Sequence, residues 1–101
     1  MNPPRKLSAE DIAQKLTELP QWQLKNETLE RECRFPSYLA GVDFVVAVAK
    51  AAEAMNHHPD LSLGWRKVGI TLSTHSASGI TVLDFALAGQ IEELFSQAKL
   101  S

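Results

Sequence analysis

The sequence predicts an α+β fold: a four-stranded antiparallel sheet with three helices packed on one face, in the order α-β-β-α-β-β-α. Three stretches combine helix-capping residues with apolar positions at helical spacing. Between them lie two pairs of short alternating segments, each pair separated by a turn. Hairpins joined by helices close most readily into an antiparallel sheet covered on one side. The other face and both edges of so small a sheet need cover, so self-association is expected.

The first helix opens at Leu7-Ser8-Ala9-Glu10-Asp11-Ile12, with Ser8 as N-cap, Asp11 at the third helical position and Leu7 placed to pack on Ile12. Ile12, Leu16 and Leu19 mark its buried face, and Pro20 closes it. Trp22 to Lys25 and Leu29 to Phe35 read as strands joined around Asn26-Glu27. In the second strand Leu29, Arg31, Cys33 and Phe35 share one face against Glu30, Glu32 and Arg34, and the charge of Arg31 marks that face as only partly buried. Ser37 opens the next helix after Pro36, and Val42, Val45, Val46, Ala49 and Ala52 recur at helical spacing as far as Asn56. Its β-branched valines weaken intrinsic propensity, so tertiary packing must hold it. Leu61-Leu63-Trp65 alternate in one phase and Val68-Ile70-Leu72-Thr74 in the opposite one, which a tight hairpin turn across Arg66-Lys67 explains. Trp65, in phase with Leu61 and Leu63, is expected in core or turn packing. Ile80-Thr81-Val82-Leu83-Asp84-Phe85 repeats the capping arrangement of the first helix, and Leu87, Ile91, Leu94, Phe95 and Ala98 supply the buried stripe of the last.

With 101 residues, 45% of them hydrophobic, the chain has enough for one modest core and no room for a second domain. Twelve acidic against ten basic residues give a formal net charge of -2, and no Lys/Arg run exceeds two, which argues against nucleic-acid binding through a basic face. The longest strongly apolar run, Phe44 to Ala49, is far too short to span a bilayer, and Met1-Asn2-Pro3-Pro4-Arg5-Lys6 lacks the apolar centre of a signal peptide. A soluble cytoplasmic protein without a membrane partner is the expectation. The single Cys33 cannot form an internal disulfide and reads as a small buried residue.

The chemistry concentrates in Glu53-Ala54-Met55-Asn56-His57-His58-Pro59, followed by Trp65, His75 and Asp84. Glu53 and His57 are four apart and share a helix face, while Pro59 stops the helix past the pair, so the imidazoles sit at a helix end. Imidazole titrates nearest neutrality, at about 6.5 when unperturbed, which suits proton transfer in both directions. One histidine at a helix end has an adequate account as a polar cap that complements the dipole, but this leaves the second histidine and His75 unexplained. Asp84, three residues after Thr81, stands where a capping-box acid belongs, so a structural role is open beside a catalytic one. Three histidines and a carboxylate are also respectable zinc ligands. Adjacent His57 and His58 diverge on a helix, however, instead of using the i,i+4 spacing of metal-binding pairs, so no metal is expected.

The pattern Glu-x3-His-His-Pro, x5-Trp, x9-His, x8-Asp, realised by Glu53, His57, His58, Pro59, Trp65, His75 and Asp84, resembles the pterin-4a-carbinolamine dehydratases, also known as dimerization cofactors of a homeodomain transcription factor. Ile70-Thr71-Leu72-Ser73-Thr74-His75 and Leu7-Ser8-Ala9-Glu10 look like that family too. The resemblance implies one domain of this kind over residues 1–101, and residues 1–6, at the chain terminus, are expected to fray. The activity it implies is dehydration of 4a-hydroxytetrahydropterin to quinonoid dihydropterin in tetrahydrobiopterin recycling, with no cofactor, since loss of water changes no oxidation state. Carried over position by position, His57 and His75 resemble the acid–base pair and His58 the residue that chiefly holds the substrate, with Glu53 orienting the His57 ring. The implied pterin contacts are His57, His58, Pro59 and Asp84, together with Thr74, His75, Ser76 and Ala77 of the loop after the second hairpin, and Trp22 near the pocket mouth. The resemblance also suggests a homodimer or homotetramer. It supplies a rival reading as well, a non-catalytic coactivator or enzyme-assembly module on the same fold. The enzyme reading requires that folding bring the imidazoles of the helix stop and of the hairpin end around a common cavity wide enough for a bicyclic ring.

Overall fold

The computed structural model describes residues 4–100. Its elements follow the expected order: α1 (Ala9–Leu16), β1 (Gln23–Lys25), β2 (Thr28–Arg34), α2 (Tyr38–Met55), β3 (Asp60–Leu63), β4 (Lys67–Leu72) and α3 (Val82–Leu100), with a 3₁₀ turn at His75–Ala77. The strands form one antiparallel sheet in the spatial order β1-β2-β4-β3. Ser8 and Ser37 cap α1 and α2 by accepting from the amides of Asp11 and Ala40, each at 3.1 Å. α1 stops at Leu16 rather than at Pro20, because Thr17, Glu18 and Leu19 tighten into bonds three residues back. Of the segment expected to fray, Met1 to Pro3 lie outside the described residues, while Lys6 pairs with Glu27 at 2.9 Å.

Pairing of Lys25 with Thr28 leaves Asn26 and Glu27 as the loop of the first hairpin, with Asn26 in the left-handed region that its short polar side chain tolerates (φ 56°). Leu29 and Cys33 of β2 are fully buried beneath the helices, together with Val68 and Leu72 of β4, Val48 of α2 and Leu87 and Ile91 of α3. Phe35, Phe44 and Phe95 pack as a tilted and edge-to-face trio with centroids 5.0 to 5.7 Å apart. Arg31 stays on this inner face because its Nε donates to Glu92 at 2.7 Å and its guanidinium lies 5.1 Å over the Phe95 ring. Burial opposes its charge, but the Glu92 bond holds the group above its ordinary pKa.

Two packing expectations need correction. The buried stripe of α2 is Gly41, Phe44, Val48 and Ala52, whereas Val46 and Ala49 face outward. This helix is apolar on two sides, so periodicity cannot choose between them. Gly41 lies on the sheet side, where a Cβ would meet Leu63 at 3.4 Å and Val68 at 3.5 Å in ordinary contact. Trp65 is not in the core but 71% exposed, with the Arg66 guanidinium 4.5 Å over its ring. The Leu63–Val68 register and the Gly64 amide bonded to the Lys67 carbonyl make Trp65-Arg66 the tip of the hairpin, one position earlier than expected. A turn tip carries its side chains past the sheet edge, whatever their phase in the strand.

Glu92→Gln weakens a half-buried charged pair and should lower the unfolding free energy by about 1 to 2 kcal/mol in denaturant titration. Trp65→Ala should change it by less than about 0.5 kcal/mol. A Trp65 variant as destabilised as the Glu92 variant would put that ring back in the core.

Candidate active site

Helix α2 does not run to Pro59. Asn56 ends it by adopting a left-handed conformation (φ 52°, ψ 42°), its amide bonding the Glu53 carbonyl at 3.1 Å while the His57 amide reaches the Ala52 carbonyl at 3.0 Å. These paired bonds make a Schellman motif, in which one residue of positive φ turns the chain off the helix axis. His57 and His58 therefore lie outside the helix and part company: His57 is buried at 9% exposure, His58 is on the surface.

His57 Nε2 lies 2.7 Å from Asp84 Oδ1, and Asp84 is fully buried. The other carboxylate oxygen, Oδ2, accepts from the Thr81 amide at 2.9 Å and from the Thr74 hydroxyl at 2.8 Å. Thr81 Oγ1 in turn accepts from the Leu83 amide at 3.2 Å and lies 2.8 Å from Thr74 Oγ1. Thr81 and Asp84 thus cap the start of α3, so the structural reading of Asp84 holds, and its other oxygen, Oδ1, holds the His57 imidazole. Every fully buried side-chain nitrogen and oxygen among the described residues has a partner, and His57 Nδ1 bonds nothing there. That nitrogen is therefore reachable by solvent. The bond to Asp84 was not foreseen from the sequence, although a capping-box acid always has a second oxygen to offer.

Glu53 does not orient His57. It meets His58 instead, Oε1 to Nε2 at 2.6 Å, in an exposed pair. The i,i+4 relation assumed for Glu53 and His57 fails because the left-handed Asn56 takes His57 out of helical register. His75 opens the 3₁₀ turn directly after Thr74, and its side chain is exposed, without a hydrogen bond among the described residues. Ser76 is exposed and Ala77 half-buried beside it, and a bridge between Thr74 and Gly79 closes the loop. The network thus ties the His57 segment to the His75 loop through Asp84 and Thr74. Trp22 goes elsewhere: its indole Nε1 donates to Glu92 at 2.8 Å, about 12 Å along α3 from Asp84.

The common cavity expected around the imidazoles of the helix stop and the hairpin end is neither of two hollows of the single chain. A hollow of about 500 Å³ on the open sheet face is lined by residues such as Gln23, Glu30, Ser62 and Thr71. An apolar one of about 480 Å³ between α2 and β3 has His58, Glu53 and Pro59 on its wall with Val46, Ala49 and Leu61. His57 and His75 line neither. Among the described residues no three of His, Cys, Asp and Glu are grouped so as to hold a metal ion, and no helix is long and apolar enough to cross a membrane.

Residues 5–94 match the family model described as Pterin 4 alpha carbinolamine dehydratase. A Nocardia farcinica protein provisionally named for that enzyme is 47% identical over 88 residues, covering 87% of this chain and 93% of its own length. One from Chloroflexus aurantiacus, named in the same way, is 42% identical over 89 residues, 88% of this chain and 96% of its own. Among solved structures, a transcriptional coactivator/pterin dehydratase from Brucella melitensis superposes with a TM-score of 0.86 at 28% identity, covering 89% of this chain and 98% of its own. A pterin dehydratase-like protein identified as a RuBisCO assembly factor in the alpha-carboxysome follows with 0.61 at 27% identity, over 73% and 86%. The chain therefore belongs to the pterin 4 alpha carbinolamine dehydratase family.

Proposed function

We propose that this chain is a hydro-lyase that converts 4a-hydroxytetrahydropterin to quinonoid dihydropterin and water, the recycling step for tetrahydrobiopterin. The observation that carries the reading is His57, held through Nε2 by a fully buried carboxylate while Nδ1 stays open. The elimination breaks the C4a–O bond, removes the proton on N5 and forms the C4a=N5 double bond, so the oxygen needs a proton to leave as water and N5 needs an acceptor. With Nε2 committed to Asp84, Nδ1 is the nitrogen through which His57 exchanges a proton with the substrate. His75, on the loop joined to the same network through Thr74, performs the opposite transfer. His58 holds the pterin, its ring braced by Glu53, with Pro59, Ser76 and Ala77 at the edges of the contact. In this reading the protein works in the cytoplasm as a homo-oligomer and without a cofactor.

A second reading has its own support. Leu39 (70%) and Trp65 (71%) expose large apolar side chains, and one structural neighbour is an assembly factor, so the chain would be a non-catalytic interaction module. Turnover separates the two.

Purified protein should accelerate loss of the pterin carbinolamine. Replacing His57 and His75 together with Ala should cut the rate by about 10²-fold or more, toward the uncatalysed reaction. Because His57→Ala strands the buried Asp84, His75→Ala alone is the companion variant: its side chain is exposed, and it should fold normally while losing most turnover. Wild-type rates in a folded double variant would refute the assignment.

A further inference from the structure

We propose that Thr74 and Thr81 are positioning residues, a two-hydroxyl relay that fixes the tautomer of His57 through Asp84. The argument is an accounting of donors. The Leu83 amide can only donate, so it occupies a lone pair of Thr81 Oγ1. The Thr81 amide can only donate, so it occupies Asp84 Oδ2. Two hydroxyl protons remain for two contacts, Thr81 to Thr74 and Thr74 to Asp84. One assignment satisfies both contacts: Thr81 donates to Thr74 Oγ1, and Thr74 donates to Asp84 Oδ2. The relay thus runs one way and ends on the carboxylate.

Two donors now converge on Oδ2, so the carboxylate serves as an acceptor there, and Oδ1 is its face toward His57. An accepting Oδ1 requires a donating Nε2–H, which leaves Nδ1 unprotonated in the neutral ring and directed at solvent. Without the Thr74 hydroxyl, Oδ2 loses one of its two donors and the carboxylate becomes more basic, so Oδ1 can take the proton from Nε2 while Nδ1 binds another from solvent. The ring would then carry its hydrogen on Nδ1 and face the substrate with the wrong nitrogen state. Thr81 acts one step further back, by orienting the Thr74 hydroxyl. All four side chains of this network, those of His57, Thr74, Thr81 and Asp84, are buried, at 9%, 4%, 0% and 0% exposure, so water cannot readily replace a missing hydroxyl.

The kinetic consequence rests on the dehydratase reading, whereas the tautomer belongs to the folded chain alone. The test is long-range ¹H–¹⁵N correlation of the imidazoles in histidine-labelled protein at a pH where the rings are neutral. Wild type should give the Nε2–H pattern for His57. Thr74→Val should move its two nitrogen shifts toward each other, as a tautomer mixture, and Thr74→Ser should restore the wild-type pattern. Thr81→Val should produce the same change to a smaller extent; in Thr74→Val kcat should fall roughly tenfold with KM moved less than about twofold, the signature of one lost hydrogen bond to a charged group. Should Thr74→Val fail to fold, the Thr81→Val and Thr81→Ser pair gives the same comparison. A wild-type His57 pattern in the folded valine variants, or equal patterns in valine and serine variants, would overturn the relay. An altered pattern in a chain with no dehydratase turnover would leave the relay standing and remove the enzyme reading.

Discussion

A single fully buried carboxylate organises this molecule. Asp84 accepts three hydrogen bonds, one from His57 and two on its other oxygen from Thr74 and Thr81. Through them it joins the end of α2, the loop that leaves β4 and the first turn of α3. A buried carboxylate is costly unless its lone pairs are met, and here each oxygen is met by a different segment of chain. The same requirement that makes the group tolerable in the interior therefore makes it a joint. His57 gains a fixed orientation as a by-product of completing the helix cap.

The three histidines are held to different degrees, and the differences follow from backbone geometry. Asn56 turns the chain so that His57 points inward, while His58 remains outside with Glu53 as its partner. His75 follows Thr74, which is anchored, but is itself solvent-facing. The outer side of α2 exposes Leu39 and Val46, and Val46 lines the same hollow as His58, Glu53 and Pro59.

Much of this was legible in the sequence, and the failures have definite causes. Caps at Ser8, Ser37 and Thr81 and the Asn26-Glu27 turn are local signals, and they stand in the structure. Arg31 was readable as the odd member of its strand face, although its partner Glu92 was not, because 61 residues separate them. The face of α2 was misread because valines and alanines lie on two sides of it, and their spacing does not say which side packs on the sheet. The histidine motif paired His57 with the wrong carboxylate. Reading Pro59 as the helix stop kept His57 on the helix with Glu53, when Asn56, a residue that tolerates the left-handed conformation, had already ended it. Trp65 was lost to the same kind of error, a strand phase carried one residue into a turn.

The central claim is that His57 and the His75 loop, tied together by Asp84, present one continuous surface to a bicyclic ligand. Titration of isotope-labelled protein with a stable reduced pterin, followed through the imidazole resonances and the amides of residues 74 to 77, tests it directly. The account predicts saturable shifts in His57, His58, His75 and that loop at a single affinity. Shifts confined to the open sheet face or to the outer side of α2, with His57 and His75 unmoved at saturation, would contradict it.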